Sequence, residues 1–255
     1  MLDQFNRVII AHFWIEEFLL PWWLEHHKKY FDFGIMIDYA STDRSRDIVK
    51  EICPDWAIVD SADADFDAAG CDRQVMQYEK HIRGWRIALN VTEFLVGRVD
   101  ELMNNRPEQQ QYFIPSYKFY DWNPDGHLDR SRPLWEQIHT AISYRTDFYA
   151  RRARSLHNHS NVVYDIGRHW WECNCENPVI FHYANAISSP EMLARRLQIQ
   201  KRIPIQDRMR NFGFHHTNHG HPEGLTQESL KIQLEGDWSK VTDCREDIIK
   251  FTEFI

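Results

Sequence analysis

Trp85 to Gly97, WRIALNVTEFLVG, is the stretch on which the reading of this chain turns. Ile87 to Leu89 is a short apolar run suited to a buried strand. It leads into a polar cluster, Asn90, Thr92 and Glu93, and then an apolar anchor, Phe94 to Val96. Three similar runs precede it: Arg7 to Ala11 (RVIIA), Gly34 to Asp38 (GIMID) and Trp56 to Val59. Helical segments separate them. Glu16 to Tyr30 is rich in Glu, Leu, His and Lys, with Pro21 placed to start its main helix. Ser41-Thr42-Asp43 caps a helix reaching about Cys53, and Cys71 to Ile82 reads as a third helix. Strands alternating with helices form βαβ units. The spacing therefore predicts an α/β fold with a mainly parallel, Rossmann-like central sheet flanked by helices. Ligands bind such sheets beyond the carboxyl ends of the strands. The residues so placed are His12, Asp38, Asp60 to Asp67, and Asn90 to Glu93.

The second half is less regular. Tyr112 to Tyr120 and Asn161 to Ile166 are candidate strands, and Val179 to Tyr183 (VIFHY) is a buried one. Asn123-Pro124-Asp125-Gly126 is a turn. Ser189 as N-cap and Pro190 in the first turn open a helix to about Arg202. Phe212 to Gly224, rich in His, Gly and Asn, reads as a loop, and the last thirty residues as a helical or loosely packed end. With no repeat, low-complexity stretch or linker, the chain reads as one domain. Its core covers about 5–205, with a helical and loop extension over 206–255.

Composition narrows the function classes. The net charge of -8 makes the chain a poor partner for nucleic acid. Arg145 to Arg154 and Arg195 to Arg210 are local positive runs, suited to solvated helix faces or to an anionic ligand. Aromatic residues at 14%, with ten Trp, fit a large core or ring-lined clefts for sugars and bases. The five cysteines, Cys53, Cys71, Cys173, Cys175 and Cys244, are odd in number and irregular in spacing. They argue against a disulfide framework and for a reducing, cytoplasmic location. Cys173-Asn174-Cys175 has no second pair at zinc spacing. No signal-peptide pattern opens the chain, and no run approaches the ~20 apolar residues of a transmembrane segment.

Four segments, in order, carry a resemblance. Ile15-Glu16-Glu17-Phe18-Leu19-Leu20-Pro21-Trp22-Trp23-Leu24-Glu25-His26-His27 is similar to the pattern N-E-E-x-x-L-x-E-W-x-x-H-H, with Ile15 where Asn is usual. Asp38-Tyr39-Ala40-Ser41-Thr42-Asp43 resembles D-N-x-S-T-D. Asn90-Val91-Thr92-Glu93-Phe94-Leu95 resembles D-x-D-E-F-L with both aspartates replaced. Val179 to Tyr183, followed by Ser188 to Lys201, resembles an H-Y, S-x-E, K series. Together they resemble the family-2-like glycosyltransferases of the GT-A fold, over roughly residues 5–205. The resemblance implies an enzyme that moves a hexose or deoxyhexose from a UDP- or GDP-sugar to a glycan or glycolipid acceptor, in polysaccharide biosynthesis.

The resemblance also implies roles for residues. Asp38 falls where a carboxylate accepts a hydrogen bond from the nucleotide base, as uracil N3–H could donate; capping the next helix is its alternative. Asp43 reads as such a cap. Arg73 falls where related enzymes place a base- or phosphate-contacting arginine, the alternative being a surface pair with Asp72 or Asp67. Asp63, Asp65 and Asp67 are spaced like the start of a calcium loop but lack its glycine and terminal Glu. In the family, the two aspartates hold Mn²⁺ or Mg²⁺, which neutralises the departing diphosphate. Asn90 and Thr92 are neutral oxygen donors that can orient a sugar. Glu93, the one carboxylate left, is a candidate base or single metal ligand, with a structural role as its alternative. A metal is therefore expected to be weakly held or absent. His182 falls where related enzymes use a histidine as a metal or phosphate contact.

The diphosphate then falls to the cationic candidates Arg168, His169, His182, Arg196, Lys201 and the His215-His216 pair. His12, Asp38, Arg73, Asn90, Thr92, Arg168, His169 and Lys201 form the expected nucleotide contacts. Direct displacement needs a base, and Glu93, Asp121, Asp125, Asp129, Glu172 and Glu176 are open to that role. Glu172 and Glu176 stand beside Trp170-Trp171, where burial would raise a carboxyl pKa. Two other readings compete. One is a non-catalytic member of the fold that binds a nucleotide or glycan. The other is a nucleotidyltransferase, disfavoured because Ala11 to Trp14 (AHFW) has no glycine-rich loop.

Overall fold

The structure, a computed structural model, describes residues 5–63, 67–104, 110–147, 152–159, 161–164, 167–205, 209, 226–235 and 238–255. In chain order the strands are β1 (Arg7–Phe13), β2 (Phe33–Asp38), β3 (Ala57–Asp60), β4 (Trp85–Asn90), β5 (Glu93–Val96), β6 (Gln111–Ile114), β7 (Ser116–Trp122), β8 (Thr140–Ile142), β9 (Arg154–His157), β10 (Val179–Ile187) and β11 (Thr242–Asp243). The helices are α1 (Leu20–His27), α2 (Ser45–Ile52), α3 (Ala68–Glu79), α4 (Val99–Asn104), α5 (Pro190–Ile199), α6 (Gln227–Glu235) and α7 (Arg245–Thr252).

The α/β class expected from the alternating pattern holds. Strands pair in the order β3-β2-β1-β4, all parallel, and antiparallel β9 and then β6 extend the sheet beyond β4. A second, mixed sheet runs β11-β8-β7-β10-β5, which the sequence pattern did not anticipate. Among the described residues, parallel pairing is thus confined to four strands of the first sheet and the β7–β10 pair. The stretch 85–97 is the joint between the sheets. It supplies β4 to the first, turns at Val91-Thr92, and supplies β5 to the second.

Period-2 alternation divides the first sheet's two faces. Ile9, Ala11, Phe13, Met36, Ile87 and Leu89 pack with Leu20, Trp23 and Leu24 of α1 and Ile48 and Val49 of α2. Val8, Ile10, Ile35, Ile37 and Ala88 pack with Cys71 and Val75 of α3 on the other face.

Several boundaries moved for physical reasons. The helix expected from Cys71 starts at Ala68, because Asp67 caps it by accepting the Ala69 N–H at 3.0 Å. The strand expected over Tyr112 to Tyr120 is cut at Pro115 into β6 and β7, one in each sheet, since proline has no N–H for a ladder. The strand expected over Asn161 to Ile166 is not formed at 161–164, and 165–166 lie outside the described residues. Arg154–His157, which begins at the last residue of the expected positive run, is the strand instead, with all four residues buried. At the C-terminal end, Leu230 and Leu234 of α6 join Tyr120, Ile142 and Ile187, while Ile248 and Phe251 of α7 enter the main core. Among the described residues no helix is long and apolar enough to cross a membrane. The whole Phe212 to Gly224 loop, with the His215-His216 pair, lies outside them.

Candidate functional site at the carboxyl ends of β1 and β4

His12 and Asn90 are register partners across β1 and β4. Two residues beyond Ile10 and Ala88, they fall on the face covered by α3, at the strands' carboxyl ends. Asp72 of α3 meets them there. Arg168 Nη1 donates to Asp72 Oδ1 at 2.5 Å, and Nη2 donates to Asn90 Oδ1 at 3.3 Å. The second Asp72 oxygen accepts the Gly167 N–H at 2.8 Å. The chain turns through the left-handed region at Gly167 (φ 86°) and Arg168 (φ 55°) to make this contact.

A second buried pair lies beside the first. Arg154 Nε donates to both Glu93 oxygens at 3.0 Å, and Nη2 donates to Oε1 at 2.7 Å. Glu93 Oε2 also accepts the Asn90 N–H at 2.8 Å. Arg154 Nη1 reaches the carbonyls of Gly167 and Arg168, which locks the two pairs together. Burial works to raise the Glu93 pKa, but Arg154, His182 and the Asn90 N–H outweigh it, so the carboxyl is held below its ordinary value and ionised. Burial disfavours charge on Arg168, and Asp72 above all restores it.

The site histidines are neutral. Burial pushes His12 well below the usual value, with Arg168 adding to the effect, and His169 likewise, with Arg154 and Arg152 adding. Burial lowers His182 to about 4, against the opposing pull of Glu93, its register partner, and with Lys118, Arg154 and Arg196 adding to the depression. Among the described residues, several site nitrogens have no hydrogen-bond partner: Nδ1 of His169, Nε of Arg168 and Nε1 of Trp170, while His12 has only a loose backbone contact at Cys71. Buried polar atoms are nearly always paired, so such a group marks a place where a ligand or water completes the structure.

The loops after β1 and β2 frame the site. Ser41 Oγ, Ser45 Oγ and Asp43 Oδ2 accept the backbone N–H groups of Ile15, Glu16 and Glu17 at 3.0, 2.8 and 3.0 Å. The non-glycine residues with positive φ among those described are Ile15 (51°), Ala40 (55°) and Arg168. All three sit beyond carboxyl ends of the parallel strands or against them. Backbone strain of this kind clusters at functional sites.

The expected site residues separate into groups. His12, Asn90, Arg168, His169, His182 and Glu93 are brought together. Thr92 is buried in the turn, its carbonyl accepting the Tyr183 N–H at 2.9 Å. Asp38 is buried at its strand end, accepts the Ser41 N–H at 3.0 Å and pairs with Arg46 at 2.8 Å. Arg73 points outward and pairs with exposed Asp67 at 3.0 Å, the surface alternative. Lys201 is exposed; its neighbour Arg202 instead lies 4.2 Å from the Trp14 ring centre and 5.1 Å from that of Tyr39, and bonds the Tyr39 carbonyl. Glu172 is exposed beside Trp171, itself 47% exposed, so the apolar surroundings expected for a base are missing there. Asp65 and the His215-His216 pair lie outside the described residues.

Asp72 and Arg154 were missed by sequence reasoning. For Asp72 a signal existed: it shares the inward face of α3 with Val75 and Glu79, whereas Arg73 falls on the outward face. For Arg154 there was none, since RSLH carries no strand-like apolar pattern.

The donor set does not fit a hard dication. Both Glu93 oxygens are taken by Arg154, and the Asn90 amide oxygen faces a guanidinium. Among the described residues, no cluster of three or more His, Cys, Asp or Glu could hold a metal.

No protein-family profile and no curated protein matches the chain. Among solved structures, it is similar to residues 1–349 of S. aureus TarS, with a TM-score of 0.40, 10% identity, and coverage of 77% of this chain and 64% of that one. The same fragment in complex with UDP-GlcNAc aligns with a TM-score of 0.32 and 13% identity, over 48% of this chain and 36% of the other. HddC from Yersinia pseudotuberculosis aligns with a TM-score of 0.32 and 8% identity, over 74% and 97%. The chain thus spans less than two thirds of the TarS fragment.

Proposed function

We propose that the protein is a GT-A-type glycosyltransferase that takes a sugar from a UDP- or GDP-sugar and passes it to a glycan or glycolipid acceptor. The observation that carries this reading is the set of unpartnered buried nitrogens around Arg168, at the carboxyl ends of β1 and β4. That is where a parallel sheet takes nucleotide ligands, and a guanidinium placed there suits a diphosphate leaving group. Asp38, buried at the end of β2, supports a base contact on the same rim.

A second reading, a binding protein without turnover, draws on one specific observation. Both buried carboxylates of the site, Glu93 and Asp72, are consumed by arginines, so neither is available as a base. Of the remaining candidate carboxylates, half-buried Asp121 is held by the Ser188 hydroxyl at 2.5 Å. Release of UDP or GDP from a panel of nucleotide sugars, assayed with acceptor glycans, decides between them. Transfer is the expected result; tight nucleotide binding with no release across the panel would leave the binding protein.

A further inference from the structure

The disagreement between the donor set and a divalent cation has a consequence for the same site, and it rests on the reading just proposed. We infer that the nucleotide diphosphate is held without a metal by the Arg168 guanidinium, with the neutral His12 and His169 beside it, and with Asp72 as the residue that positions Arg168. In the D-x-D arrangement, two carboxylates recruit a dication, and the dication meets the phosphates. Here Asn90 stands in the first position, and its amide oxygen accepts from the Arg168 guanidinium at 3.3 Å. A guanidinium, paired with Asp72, therefore already faces this position. The only carboxylate of the segment, Glu93, is ionised but closed off by Arg154 from one side and by the Asn90 N–H from the other.

Arg168 is itself fixed. Asp72 grips both its side chain and the preceding Gly167 N–H, and Arg154 holds the two carbonyls of the same turn. Among the described residues, Arg168 Nε and His169 Nδ1 are left without a partner, and His12 has only a loose backbone contact at Cys71. An orphaned buried donor costs about 1–3 kcal/mol, and an incoming phosphate oxygen removes that cost. Arg168 and Asp72 are buried, whereas His12, Asn90 and His169 are half-buried, so the polar cluster runs from the interior to the surface. A guanidinium keeps its charge at any physiological pH and presents a fork suited to phosphate.

Calorimetric titration of the full chain with UDP, GDP and inorganic pyrophosphate, once in EDTA and once in Mn²⁺, tests this. The expected result is the same affinity in both buffers. Arg168→Lys keeps the charge but loses the fork, and should weaken all three ligands by roughly tenfold. Asn90→Asp, which restores a carboxylate at the D-x-D position, should pair with Arg168 and weaken binding without creating a need for Mn²⁺. Thermal melts confirm that each variant is folded. Binding that appears only with Mn²⁺, folded Arg168→Lys that binds as the parent does, or no diphosphate binding in either buffer each overturns the inference. The two proposals fail separately. Arg168-dependent pyrophosphate binding without sugar transfer removes only the activity, and transfer that requires Mn²⁺ removes only the metal-free site.

Discussion

Two pairs of histidines, one buried and one half-buried, lie on opposite sides of the same parallel sheet, and they behave differently. His26 and His27, under the α1 face, are tied to the backbone. His26 Nε2 meets the Leu95 carbonyl at 2.7 Å, His27 Nδ1 meets that of Trp23 at 2.9 Å, and His27 Nε2 accepts the Leu95 N–H at 3.2 Å. On the other side, at the carboxyl ends, His12 has only a loose backbone contact at Cys71, and His169 leaves Nδ1 unpartnered among the described residues. Burial keeps all four rings below the usual histidine pKa. What separates His27 from the site pair is satisfaction: both His27 nitrogens are bonded and clamp β5, whereas His26 Nδ1, like His169 Nδ1, has no partner among the described residues.

The largest effect should come from the residue that belongs to both regions. The Glu93 carbonyl accepts Trp23 Nε1 at 2.9 Å on the α1 side, and its carboxylate holds Arg154 on the other. Glu93→Ala leaves Arg154 buried and unpaired, and should cost about 3–5 kcal/mol in urea unfolding. A loss under about 1 kcal/mol, the range of a surface pair, would show that the pair is not buried as described.

The histidines themselves break or keep the comparison. His27→Ala strips the Leu95 N–H of its acceptor and opens a cavity, so it should cost about 2–3 kcal/mol of stability and leave UDP or GDP affinity unchanged. His12→Ala should do the reverse, with stability altered by about 1 kcal/mol or less and affinity down by roughly tenfold. Equal losses in both properties for both variants would erase the distinction.

Acidification tests the shared property. A ring held neutral in the folded state, near pKa 4 for His26 and His182, binds fewer protons folded than unfolded between that value and the unfolded pKa of 6.5. Stability is therefore full above about pH 6.5 and declines toward pH 4, by on the order of 2 kcal/mol per such histidine at pH 5. Glu79 runs the other way. Burial raises its carboxyl to about 7, so its own contribution to stability rises as pH falls from 7 toward the ordinary carboxylate range. Urea midpoints at pH 7, 6 and 5 should fall, and Glu79→Gln should make them fall more steeply.

The smallest effect concerns strain. Ile15, a β-branched residue at φ 51°, stands where the resembling family carries Asn, which tolerates that conformation. Ile15→Asn should stabilise by roughly 1 kcal/mol; a shift of the melting temperature downward would contradict the strain.

Much of the first half was legible because its signals are local. Buried parallel strands read as apolar runs, and β1, β2, β3 and β4 all lie where RVIIA, GIMID and their counterparts place them. The second sheet was not, because its pairing joins β5, β7 and β10 across long separations, and no local pattern records which strand meets which. The site divides in the same way. His12 and Asn90 lie at the carboxyl ends of β1 and β4, Glu93 opens β5, and all three were found by position. Arg154 and Asp72 are recognised only from their partners, 61 residues away at Glu93 and 96 residues away at Arg168. Arg73, one residue from Asp72, was favoured by its charge and is turned outward by the helical period.

The central claim is that the polar cluster at the end of β4 is a diphosphate site built on Arg168. A crystal structure of the protein soaked with UDP or GDP in the presence of Mn²⁺ tests it most directly. The account predicts diphosphate oxygens within hydrogen-bonding distance of Arg168, His12 or His169, with no ion between them and Asn90. A metal bound by Glu93 after release from Arg154, or a nucleotide seated away from the carboxyl ends of β1 and β4, would contradict it.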